Sequence, residues 1–132
     1  MPHFYRDVDV YVDLAGRSEV RETLAKIGKS DERAARTINS RIRVMRQQTL
    51  ADALRTGLIK QPTPNIYVLR VQSGPVSYRL PFFEAPEHNG KLAILTHCEH
   101  RSVLRGDRYK ALIEAAERRR EDWIRRNCQG GG

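Results

Sequence analysis

Arg70 and Arg79 stand in neighbouring runs of alternating apolar and polar residues, and Arg101 closely follows two histidines, His97 and His100. A guanidinium suits phosphate because its planar fork binds two oxygens and its charge does not titrate near neutrality. An imidazole suits proton transfer because its pKa lies near neutral pH. Together these groups fit internal transfer at an RNA phosphodiester. Arg70 and Arg79 would clamp the phosphate, His97 or His100 would move the proton, and Arg101 would stabilise developing charge. Tyr78 is a candidate for stacking on a base, as single-stranded RNA recognition often requires. Elsewhere, Arg36 and Arg43 join Arg33 and Arg46 at helical spacing, a basic face that could position RNA without reading its sequence. No cluster of Asp, Glu and His has the spacing of a metal site, so neither a metal nor a small-molecule cofactor is expected.

Each assignment has a plainer alternative. Arg70 and Arg79 alternate with core residues and equally suit the solvated face of a sheet. His97 closes a strand and suits a hydrogen-bonded structural role. Tyr78 lies beside Leu80 and Phe82 and suits the core. The arginine face around Arg36 and Arg43 equally suits an ordinary solvated helix.

The elements that must position these groups follow from periodicity. Phe4 to Asp13 mixes Tyr5, Val8, Val10, Tyr11 and Val12 with charges, as a first or edge strand does. Ser18 is a candidate N-cap for a helix carrying Val20, Leu24 and Ile27, with Gly28 as its C-cap. Ser30 opens a second helix whose apolar stripe is Ala34, Ile38, Ile42 and Met45. Leu50 to Ile59 reads as a short helix or loop that Pro62 and Pro64 end. From Ile66 the period becomes two, and three runs (66–72, 76–83 and 91–97) read as an antiparallel meander, with Pro81 marking a bulge or lost ladder bond. Asp107 then caps a long helix striped by Tyr109, Leu112, Ile113, Ala116, Trp123 and Ile124, whose aromatics read as packing. The fold class is α+β: a small antiparallel sheet, an N-terminal helical hairpin and a long C-terminal helix, in the order β-α-α-β-β-β-α.

The 132 residues fit one domain, over 1–127, with a disordered tail over 128–132. Lys+Arg 24 against Asp+Glu 16 leaves net charge +8, which favours polyanionic partners. No apolar run approaches the ~20 residues that span a bilayer. Met1 to Asp13 lacks a signal peptide's apolar stretch. Cys98 and Cys128 read as free thiols of a reducing compartment, so a cytoplasmic location and no membrane partner are expected.

In this order the elements and local sequences resemble the RelE/ParE toxin superfamily, and within it the HigB-like, phage-associated branch. The likeness rests on Ile66-Tyr67-Val68-Leu69-Arg70, Tyr78-Arg79-Leu80-Pro81-Phe82-Phe83, Ala93-Ile94-Leu95-Thr96-His97 and Ala115-Ala116-Glu117-Arg118. Gly16-Arg17-Ser18 followed by Val20 is similar to the branch's turn before its first helix. The branch carries a Phe and a pair of lysines where this chain has Cys98-Glu99-His100-Arg101, and an acidic residue where Val68 stands. The resemblance implies the toxin of a type II toxin–antitoxin system, a metal-independent endoribonuclease cutting mRNA on the ribosome and held inactive by a cognate antitoxin. Two alternatives come with the same fold: a ParE-like inhibitor of DNA gyrase that cleaves nothing, and a phage-encoded regulator or host inhibitor that has lost nuclease activity.

Overall fold

In a computed structural model, residues 3–101 and 106–128 are described. They form, in order, Asp7–Val10 (β1), Glu19–Ser30 (α1), Glu32–Gln47 (α2), Leu50–Thr56 (α3), Ile59–Lys60 (β2), Tyr67–Ser73 (β3), Val76–Glu84 (β4), Leu92–Leu95 (β5), Glu99–His100 (β6) and Asp107–Asn127 (α4). The α+β expectation and the long C-terminal helix hold. The sheet differs: its order is β1-β5-β4-β3-β2, with β6 also pairing β4, and β1 runs parallel to β5. It is mixed rather than antiparallel: β1, β3 and β5 run one way and β2 and β4 the other, so β1 becomes a parallel neighbour by lying at the edge beside β5. The meander itself, β3-β4-β5, is antiparallel.

Alternation along the central strands builds two cores. Leu69, Val71, Leu80, Phe82, Ala93 and Leu95 face α1, α2 and α3. Val68, Phe83 and Ile94 face Ile113, Ala116 and Trp123 of α4. Phe82 and Phe83 are both fully buried although consecutive, one in each core, because successive side chains of a strand leave opposite faces. Burying each contributes about 1.5–3 kcal/mol. Tyr11, just beyond β1, packs in the second core and ties that segment to α4: its hydroxyl donates to Asp122 at 2.6 Å, and Arg126 donates to the Val12 carbonyl at 2.6 Å.

The helix boundaries follow capping chemistry. Ser18 caps α1 as expected, its Oγ accepting from the Arg21 amide. Gly28 does not end that helix; it lies inside, 3.8 Å from the Ala35 side chain were a Cβ present, and so lets α1 and α2 pack closely. Asp31 does both jobs instead. Its amide closes α1 on the Ile27 carbonyl, and its carboxylate accepts from the Ala34 amide to open α2, where Ser30 was expected. Asp31→Ala is expected to lower stability by about 1 kcal/mol, read as a shift of the urea midpoint with an unchanged slope. Asp107 lies in the first turn of α4 and makes no side-chain cap. The tail expected over 128–132 begins with Cys128, whose amide closes α4 on the Ile124 carbonyl; 129–132 lie outside the described residues. No helix among the described residues is long and apolar enough to cross a membrane.

Candidate phosphate-binding hollow

Parity decides which side chains meet. Lys60 pairs with Val68, and Arg70 pairs directly with Arg79, so all four emerge on the α4 face of the sheet. Glu99 pairs with Arg79, and Arg101 lies two residues beyond it, returning to the same face. Tyr109, in the first turns of α4, projects over this end of the sheet. Lys60, Val68, Arg70, Arg79, Arg101 and Tyr109 line an open hollow of about 370 Å³. A second hollow of similar size shares Arg70, Arg79 and Arg101 and continues past Gly57 and Gln72 to Arg41 of α2. The three arginines thus form the wall between two connected depressions.

Local structure aims Arg70. Gly57 terminates α3 in the left-handed conformation (φ 82°), which favours glycine, and its carbonyl accepts from Arg70 Nη1 at 3.3 Å. A Cβ at Gly57 would sit 3.4 Å from that nitrogen, so the turn also leaves room for the guanidinium. Arg79 donates to its neighbouring Tyr78 carbonyl at 3.1 Å. Among the described residues, the ion pairs lie elsewhere, and neither Arg70, Arg79 nor Arg101 has a carboxylate within salt-bridge distance. Burial lowers the pKa of Arg79, and the like charges of Arg70 and Arg101 lower it further. An arginine remains charged regardless. The cluster therefore concentrates positive charge around a half-buried Arg79 with no counter-ion among the described residues, a repulsion that a bound anion would relieve. Burial raises the pKa of Tyr109, with Arg79 and Arg70 pulling it back, so its hydroxyl is protonated at neutral pH and lies in their field.

Three of the residues read from sequence as site groups come together here: Arg70, Arg79 and Arg101. The others do not. Tyr78 pairs with His100 on the opposite face, is only 6% exposed, and belongs to the core beneath the helical hairpin, so it offers no ring for stacking on a base. His100 is exposed with its ring edge-on to Tyr78 at 5.4 Å, and it lines neither depression. His97 is also 6% exposed; its Nδ1 lies 2.9 Å from Thr96 Oγ1, and Glu19 and Arg119 are its charged neighbours. Arg36 pairs loosely with Glu32 at 3.8 Å, and Arg43 faces a separate hollow near β1. Lys60, Tyr109 and Arg41 are the groups that sequence reasoning missed. Tyr109 sits at the end of an apolar helical stripe, where a ring with a polar tip can pack and still reach a site. Cys98 is buried and its thiol is pushed up to about 12, chiefly by burial, which leaves it unreactive.

Burial, reinforced by Arg119, pushes His97 down to about 4 and keeps it neutral in the fold. An unfolded histidine titrates near 6.5, so the unfolded chain binds the extra proton first as pH falls. Its contribution is intact above pH ~6.5 and is lost progressively down to about pH 4, at most about 3 kcal/mol. Urea unfolding at pH 7 and pH 4.5 is expected to show a larger drop for the native chain than for His97→Asn. Equal drops would contradict a buried neutral imidazole. No protein family, curated protein or solved structure matches the chain.

Proposed function

We propose that the chain is an endoribonuclease that grips a single RNA phosphodiester between Arg70, Arg79 and Arg101, as the resemblance to the RelE/ParE superfamily implies. One observation carries the reading: guanidiniums from β3, from β4 and from the turn beyond β6 share one open hollow with a tyrosine hydroxyl, and among the described residues no carboxylate lies within salt-bridge distance of them. Such a site has the shape and charge of a phosphate clamp. The chemistry is internal transfer. The RNA 2′-oxygen attacks phosphorus, its proton passes to solvent hydroxide, and the bond from phosphorus to the 5′-oxygen breaks. Protonated Tyr109 donates its proton to the leaving oxygen and is reprotonated by water. The products are a 2′,3′-cyclic phosphate and a 5′-hydroxyl end. Arg70 and Arg79 hold the phosphate oxygens, and Arg101 and Lys60 stabilise the charge that accumulates on them. His97 and His100, outside the hollow, have no part in these steps. Within this reading the substrate is mRNA on the ribosome, and a cognate antitoxin blocks the hollow.

A second reading, a nucleic-acid-binding protein that does not cleave, is favoured by one feature. No imidazole or carboxylate among the described residues lines either depression, so the side-chain types that most often move protons near neutral pH are missing there. Inducing the chain in cells and mapping transcript ends separates the two. The nuclease reading expects new 5′-hydroxyl ends within translated codons. Growth arrest with intact transcripts would favour the second.

A further inference from the structure

A separate basic hollow, of about 520 Å³, opens at the sheet edge formed by β1, away from the arginine cluster and its two depressions. Its cations are Arg6, Arg43, Arg46 and Lys91, and Phe4 and Tyr5 supply its apolar surface. Tyr5 is buried and forms part of the core, whereas Phe4 is 44% exposed, one of two large hydrophobic side chains left open among the described residues. The segment carrying it is held in place. The Leu50 amide donates to the His3 carbonyl at 2.8 Å, the Arg6 amide to the Lys91 carbonyl at 2.8 Å, and Arg46 Nε to the Arg6 carbonyl at 3.0 Å. Phe4 is thus presented on a pinned stretch of backbone, ringed by cations. Among the described residues, the one carboxylate paired with any of those cations is Asp7, 3.9 Å from Arg46.

An aromatic face open to solvent amid a surplus of positive charge matches what a single strand of nucleic acid needs: a platform for one base and cations for the flanking phosphates. A duplex keeps its base faces stacked internally and cannot use the platform. We infer that this hollow is a second RNA contact, in which Phe4 stacks on an unpaired base and Arg43, Arg6 and Lys91 take the adjoining phosphates. It would hold the RNA at a distance from the cleavage hollow and does not depend on cleavage.

The test measures binding of the full chain to a fluorescent 2′-O-methyl single strand of roughly 20 nucleotides, which internal transfer cannot cleave, by anisotropy over a salt series. Phe4→Ala is expected to weaken binding roughly tenfold with an unchanged salt slope, because stacking carries no counter-ion release. Arg43→Ala is expected to weaken it and to lower the slope of log K against log[salt] by about 0.7. Phe4→Trp is expected to keep the affinity and to show quenching of the added indole when RNA binds. Both side chains are exposed, so the variants should melt with the native chain. Native affinity and slope in both alanine variants would overturn the inference, as would a duplex or a polyglutamate binding equally well through Phe4. The two sites fail separately. Binding lost in Arg79→Ala but kept in Phe4→Ala leaves only the first, and the reverse leaves only the second.

Discussion

Arg79→Ala is expected to reduce RNA cleavage by about 10²–10³-fold while leaving the melting temperature unchanged or higher. The two halves of this result come from the same geometry. Arg79 is the most enclosed of the three clamp arginines, partly stripped of water and repelled by Arg70 and Arg101. Its guanidinium donates to the neighbouring Tyr78 carbonyl, and among the described residues no carboxylate repays the desolvation. Removing it relieves the folded state and takes a bidentate ligand from the transition state. Arg79→Lys keeps a charge but loses the fork, so its rate is expected to fall between those of the native and alanine forms. Single-turnover cleavage of a short RNA alongside a thermal melt tests both halves at once. A variant that cleaves normally would remove the clamp from the mechanism. One that melts far below the native chain would make Arg79 a structural residue and the charge cluster incidental.

The same parity explains what the sequence made legible and what it concealed. Period-two runs around Val68 and Leu80 were readable as strands, and the stripes of α2 and α4 as helices, because burial on one side leaves a periodic trace. The parallel pairing of β1 with β5 left none, since β1 is four residues long and its partner lies far along the chain. At the site, alternation already bears on the choice of residues. Tyr78 and Arg79 are consecutive on one strand, as are His100 and Arg101 across the β6 end, so each pair must split between faces. Taking Arg79 and Arg101 as site residues therefore excludes Tyr78 and His100 as long as the strands stay regular. His97 escapes that argument, because it falls between β5 and β6, where the strand is interrupted after the Thr96 amide pairs with Pro81. Its burial beside Arg119 and Glu19 depends on where α1 and α4 cross the sheet, a long-range fact with no local signal.

Tyr109 shows the opposite case: its residue type and helical position were in view, but its service to packing masked its reach. Tyr109→Phe is the sharper test of chemistry, because it deletes one oxygen from a ring that keeps its place against the core. Cleavage is expected to fall by about 10²–10⁴-fold, the usual worth of a positioned proton donor, with RNA affinity nearly unchanged. The pH profile carries independent information. The 2′-hydroxyl proton goes to solvent hydroxide, and the donor's pKa is raised by burial, so the native rate should climb about tenfold per pH unit from 6 to 9. A histidine base of ordinary pKa would instead level off above about pH 6.5. Stopped or quenched single-turnover rates across that range distinguish the two shapes. A plateau near neutrality that survives Tyr109→Phe would transfer the proton step to a group outside the hollow. A steady rise, lowered in parallel by the substitution, would assign the donor's role to the Tyr109 hydroxyl that shares the hollow with the arginine cluster.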